Sequence, residues 1–218
     1  ILFLFPLPII LAILLNEIGH LTFKKTVQTV IYLPHFISWV IVSGLFFNLL
    51  SINGGIVNSM IKQLGGEPIA FFIEKNYFRS LLVITAGWKE VGWGTIIYLA
   101  AITGIDPQLY EAAIIDGANK FQQIWNITVP GITSTIVLMF ILRIGSLLDA
   151  GMEQILTMYN PVVYEVADII GTYVYRIGLG ASDYSFATAV GLFNSIISLL
   201  LIMGGNYLSR RYMDKGIW

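Results

Sequence analysis

Long uncharged apolar runs alternate along this chain with shorter segments in which Lys, Arg, Asp, Glu, Asn and Gly collect. A bilayer core about 30 Å thick needs roughly 20 apolar residues per crossing helix, so the alternation predicts a polytopic helical bundle rather than a soluble domain with one anchor. The runs predict a partial helix over 1–15, full spans over 27–50, 81–105, 132–148 and 184–208, and polar connections at 51–80, 106–130 and 149–183. At about 1.5 Å per residue the first run reaches only about 22 Å. We read it as the remainder of a longer helix, because no basic segment precedes it and Asn16-Glu17-Ile18-Gly19-His20 is not a small-residue cleavage site.

Pro34 and Gly44 fall inside 27–50, where neighbouring helices can satisfy freed backbone groups. The 51–80 connection holds Asn53-Gly54-Gly55, Gly65-Gly66-Glu67-Pro68 and the charges Lys62, Glu74, Lys75 and Arg79, which is aqueous loop chemistry. Lys89 and Glu90 interrupt 81–105, flanked by Trp88, Trp93 and Tyr98. The 149–183 connection reads as a loop with a helix over Val162 to Leu179, although Glu165, Asp168 and Arg176 there also permit a polar span.

Composition sharpens the class. The chain is 56% hydrophobic and 11% charged, against about 25% charged in soluble domains. A net charge of −1 offers no field for nucleic acid. With no Cys, and His20 and His35 as the two imidazoles, there is no disulfide framework, thiolate metal site or cysteine nucleophile. An intramembrane enzyme is therefore a poor reading. Lys24, Lys25, Lys120, Arg210, Arg211 and Lys215 fall on one side of the predicted spans, Lys62, Lys75, Arg79 and Arg176 on the other. The bias predicts a cytoplasmic C-terminus.

The 106–130 connection carries the function. Asp106 followed by Pro107 is a helix start, Gly117 a helix stop, and Asn119 a second cap. Because Pro130 disfavours α conformation in the residue before it, the second short helix should end near Val129. Leu109, Ala113 and Asp116 share a face of the first helix, small enough at Ala112 and Ala113 for close approach by another protein. Phe121, Ile124, Trp125 and Thr128 form an apolar stripe on the second. By pattern alone this could equally be an amphipathic loop lying on the membrane surface.

The spacing Glu111-Ala112-Ala113, Gly117, Ile127-Thr128-Val129-Pro130 resembles the EAA motif of permease subunits of binding-protein-dependent ABC importers, with Val129 where that pattern usually has Leu. Leu14-Leu15-Asn16-Glu17, Tyr32-Leu33-Pro34-His35-Phe36-Ile37-Ser38-Trp39, Trp88-Lys89-Glu90-Val91-Gly92-Trp93-Gly94 and Ala187-Thr188-Ala189-Val190-Gly191-Leu192-Phe193 look like the carbohydrate branch that takes up complex polysaccharides and oligosaccharides. The resemblance implies an all-α, polytopic transmembrane domain in the bacterial cell membrane, forming half of a sugar path. It implies a second homologous permease, two cytoplasmic ATPase subunits and an extracytoplasmic solute-binding protein as partners. Glu111, Ala112, Ala113, Asp116, Gly117, Ile127 and Pro130 would be the ATPase-coupling residues.

The chain lacks Gly-x-x-x-x-Gly-Lys-Ser/Thr, so ATP and Mg would belong to the separate ATPase and no cofactor to this chain. Lys89 and Glu90, weighed against interfacial snorkelling, and Arg143, weighed against facing the helix bundle or a partner permease, are candidates for lining the translocation path. His35 reads as a hydrogen-bonded structural residue, and the aromatics as membrane belts. The competing class is a secondary transporter or channel without an ATPase, but the sequence has no paired halves with matching broken helices, and that class leaves 106–130 unexplained.

Overall fold

The computed structural model describes residues 3–148, 151–213 and 216, with Leu179, Tyr212 and Met213 described as backbone only. Ile1, Asp149 and Lys215, which the sequence pattern assigns to a helix, a loop and a basic tail, lie outside these residues. The helices in chain order are α1 Pro6–Glu17, α2 Leu21–Tyr32, α3 Trp39–Leu50, α4 Ile56–Gln63, α5 Lys75–Thr103 and α6 Pro107–Ile115. They continue with α7 Lys120–Gln123, α8 Val129–Gly145, α9 Met152–Met158, α10 Tyr164–Ala167, α11 Ile170–Tyr175 and α12 Tyr184–Met213. Among the described residues two helices, Lys120–Gly145 and Tyr184–Arg211, are long and apolar enough to cross a membrane, three if the broken pair α2 and α3 counts as one span.

Several expected boundaries are corrected. The single span at 27–50 starts instead at Leu21 and is broken after Tyr32 by a 3-10 turn, Leu33–Phe36. Proline supplies no amide to continue α2, and Ser38 then restarts the chain as α3 by accepting from the Ile41 amide at 3.4 Å. The 81–105 span begins at Lys75, so part of the 51–80 loop is helix, as is α4. The 184–208 helix runs on to Met213. Instead of one helix over 162–179, that segment holds a 3-10 turn at Pro161–Val163, α10, α11 and a π-helical turn at Arg176–Gly180.

The chain divides into two units. The first comprises Ile1–His35, Lys89–Ser146 and Ser198–Trp218. Its core is Ala12, Leu15, Tyr98, Leu99, Ile102 and Ile132, contributed by α1, α5 and α8. Close approach is set by Gly92: a Cβ there would sit 1.8 Å from the Ile31 carbonyl oxygen, so α5 touches the backbone at the end of α2.

The second unit comprises Phe36–Trp88 and Leu147–Ile197, around Phe78, Leu81, Ile155, Met158, Val163 and Ala167. Buried amides organise its irregular backbone. Asn58 donates to the carbonyls of Leu50, Ser51 and Ile69 and accepts from the Ile69 amide at 2.7 Å. Gln154 donates to the Leu82 carbonyl and the Thr85 hydroxyl, each at 2.7 Å. Asn160 donates to the Phe72 carbonyl at 2.8 Å. At the start of α5 Lys75 pairs with Glu165 and Arg79 donates to the Val166 carbonyl, while in the 149–183 connection Arg176 pairs with Asp168 beneath the Tyr164 ring. Burial alone would raise the Asp168 carboxyl, but hydrogen bonds from Arg176 and Thr172 and the Arg176 charge hold it below its ordinary value.

Gly92→Val should destabilise the protein by at least ~2 kcal/mol, seen as a fall of several degrees in detergent melting temperature, because backbone cannot yield as a side chain can. Gly44→Ala, which meets nothing within 4 Å, should melt like the parent. A depressed carboxyl stabilises at pH above its unfolded value of about 3.9 and loses that contribution as pH falls through the folded value. Asp168→Asn should therefore melt lower than the parent at pH 7, with the gap closing as pH drops below about 4. A gap unchanged at acid pH would show that the charge of the pair contributes nothing.

Candidate functional site

The segment 106–130 folds at its first turn as its residue types predict. Asp106 Oδ1 accepts from the Gln108 amide at 2.9 Å and Pro107 opens α6. At the other end the Ala118 amide bonds the Ala113 carbonyl at 2.8 Å and the Gly117 amide the Ile114 carbonyl at 3.0 Å. That double closure needs a left-handed residue between, and Gly117 has φ +80°, in open space where a Cβ would meet nothing within 4 Å. Asn119 then starts α7 through a reciprocal cap: its side chain accepts from the Gln122 amide, and Gln122 Oε1 accepts from the Asn119 amide.

The second half departs from expectation. The helix that should end near Val129 instead continues from Lys120 to Gly145, through Pro130. A π-helical turn at Ile124–Thr128 explains the difference: the Val129 amide reaches back to the Ile124 carbonyl, widening the turn just before the proline ring. Ile127 lies half-buried in that turn and Pro130 is exposed in the first turn of α8. They join the hairpin to the following span by continuing the helix, where the sequence pattern has one helix end and another begin.

α6 buries none of its residues. Glu111, Ala112 and Asp116 are exposed and Ala113 half-buried, while the apolar Leu109, Ile114 and Ile115 are 53%, 61% and 85% exposed. On the following turns Phe121 and Trp125 are 69% and 57% exposed, edge to face with each other. The hairpin is nonetheless fixed in place. Tyr110 and Thr128 hydroxyls meet at 2.9 Å, Gln123 donates to the Ala118 carbonyl at 3.0 Å, and Lys120 pairs with Glu17 of α1 at 3.2 Å. No sequence signal singles out Tyr110, Gln123 or Glu17 for these roles. Thr128 reads as part of the apolar stripe, whereas it is buried and hydrogen-bonded.

Lys89 and Glu90 come together with a residue that the sequence marks only as structural. Lys89 is 5% exposed and donates to the His35 carbonyl at 2.7 Å, while Glu90 meets His35 Nδ1 at 2.9 Å. The His35 ring stacks on Trp93 with centroids 4.4 Å apart and planes 5° apart. His35 is thus hydrogen-bonded, as expected. Arg143 is exposed in the last turn of α8, and among the described residues no ion pair joins it to Lys89 or Glu90. Nor do the described residues contain a group of three or more His, Cys, Asp or Glu able to hold a metal ion.

Among the described residues the chain is helical throughout, with apolar membrane-length helices and one exposed hairpin. Residues 5–214 match the family model described as "Binding-protein-dependent transport system inner membrane component", and this chain belongs to that family. It is 46% identical to Protein LplB of Bacillus subtilis (strain 168) over 217 residues, covering 100% of this chain and 68% of that protein. It is 50% identical to the polygalacturonan/rhamnogalacturonan transport system permease protein YteP of the same organism over 214 residues, 98% of this chain and 67% of that one. Among solved structures it is similar to a chain of the bacterial alginate ABC transporter in complex with alginate pentasaccharide-bound periplasmic protein. There the TM-score is 0.96 at 44% identity, over 99% of this chain and 75% of that chain. The chain is accordingly a multi-pass permease subunit of a binding-protein-dependent transport system.

Proposed function

We propose that this permease imports a sugar or oligosaccharide, forming half of the path with a second homologous permease, and that α6 receives the force of two cytoplasmic ATPase subunits. The observation that carries the reading is α6 itself: a capped helix with no buried residue and with Leu109, Ile114 and Ile115 open to solvent. Apolar surface of that kind on a fixed element marks a protein interface. In this reading Ala112 and Ala113 allow close packing, Glu111 and Asp116 anchor the rim, and Gly117 sets the angle of the hairpin. Ile127 and Pro130 carry the motion into α8, since the π turn leaves no flexible break between hairpin and span.

The relatives supply the substrate class, since YteP is a polygalacturonan/rhamnogalacturonan permease and the solved neighbour holds alginate on its periplasmic protein. A binding protein of that kind would deliver the sugar on the outer side. The cytoplasmic side would hold the hairpin, Lys24, Lys25 and the C-terminus, in keeping with the Lys120–Glu17 pair, which places the start of α7 beside the end of α1. The loops 51–80 and 149–183 would then face outward. Lys89, Glu90 and Arg143 are proposed to line the path. ATP and Mg would bind the ATPase, and ATP moves the helices only if the docked interface differs in energy between inward- and outward-facing states.

The test is co-purification of the full-length protein with its genomically adjacent ATPase and permease. Wild type should retain the ATPase, and Glu111→Lys, an exposed change, should weaken its retention about tenfold, equivalent to ~1.4 kcal/mol. Gly117→Pro should abolish it, because proline cannot take φ +80°. No ATPase on the wild-type protein would contradict the assignment of α6 as the ATPase-docking element.

A further inference from the structure

Asn194 departs from the pattern in which buried amides serve the backbone. It lies on α12, is 8% exposed, and its Oδ1 accepts no hydrogen bond from the described residues. The residue lines a cavity of about 360 Å³ in the second unit, together with Tyr175, Tyr184, Ser195 and the glycines 171 and 191. A buried acceptor without a donor is costly, and a membrane makes it more so, so the cavity calls for a hydroxyl or amide to enter it. Water alone occupies about 30 Å³ per molecule, an order of magnitude less than the space.

The lining describes the guest. Among the described residues it has no Lys, Arg, Asp or Glu, and the groups it presents are neutral. It offers two exposed tyrosine rings, the Asn194 amide and the Ser195 hydroxyl, which donates to the Gly191 carbonyl at 3.0 Å and remains able to accept. A side chain at Gly191 would meet nothing within 4 Å, so the glycine there keeps space open rather than relieving a clash. Aromatic faces beside a few fixed polar groups suit a ring with apolar C–H faces and hydroxyl edges.

We infer that this cavity is a subsite for the hydroxyl-bearing face of one pyranose ring of the transported oligosaccharide, with Asn194 as its acceptor. Any carboxylate on the sugar would point away from it. The inference rests on the carbohydrate-import reading. Asn194 sits ten residues beyond Tyr184, about 15 Å along the helix, which places the subsite in the outer half of α12 if the C-terminus is cytoplasmic.

The test uses the complete transporter in proteoliposomes with its loaded binding protein, and the sugar from a set of galacturonate and alginate oligosaccharides that wild type imports. Asn194→Leu and Gly191→Val should each lower uptake at least tenfold while permeases and ATPase still co-purify in the wild-type ratio; Asn194→Asp, which keeps an acceptor, should lose less. With any cysteine outside Ile1–Trp218 replaced, Ser195→Cys places one thiol in the cavity, and the sugar should slow its reaction with a water-soluble thiosulfonate. Wild-type uptake by Asn194→Leu, or sugar-independent labelling, would overturn the subsite. Loss of the second permease from Asn194→Leu would overturn it too, marking the cavity as a helix-docking surface. A wild-type complex that binds its ATPase yet imports none of these sugars would refute the carbohydrate class while leaving the importer standing.

Discussion

In a chain this apolar, every helix break must find partners for the backbone groups it frees, since lipid supplies none. The polar residues are placed accordingly. Lys89 closes the turn after α2 by donating to the His35 carbonyl, Asn58 holds the end of α3 through the Leu50 and Ser51 carbonyls and reaches Ile69 in the following chain, and Asn160 donates to the Phe72 carbonyl in the chain before α5. Irregular backbone is thereby made rigid without a water shell. Deleting one such side chain would strand an acceptor as well as remove a bond, at a cost of about 1–3 kcal/mol.

The same constraint shapes the exposed hairpin. Gly117 and Asn119 satisfy the two helix ends within the hairpin, Tyr110 and Thr128 tie it to the π turn, and the helix then runs unbroken into α8. A rigid lever results, with apolar residues outward at one end and a membrane helix at the other. Such an element can transmit a rotation only as a body, and a docking partner whose closure moves α6 would move α8 with it.

Much of this is legible in the sequence because it depends on local rules. Asp106-Pro107, Gly117 and Asn119 carry their geometry in their residue types, and α12 starts at Tyr184 as its apolar run predicts. What is not legible depends on neighbours. Pro130 reads as a break, yet a π turn upstream accommodates it; Pro34 reads as tolerated within one span, yet it ends α2. Lys89 and Glu90 look like path residues or snorkelling charges, while their shared partner His35 lies far away in sequence. The short helices of 149–183 are held by contacts with 72–82, a pairing no periodicity shows.

We propose that α6 is the surface on which ATP-driven motion enters the membrane. The most direct test is cross-linking from Ala112→Cys in the assembled transporter, with single cysteines placed across the surface of the ATPase. A cross-link to the ATPase that forms both without nucleotide and with ATP, while distances between the α8 helices of the two permeases change, is the predicted result. Cross-linking of Ala112→Cys to lipid or to the second permease, with none to the ATPase, would contradict it.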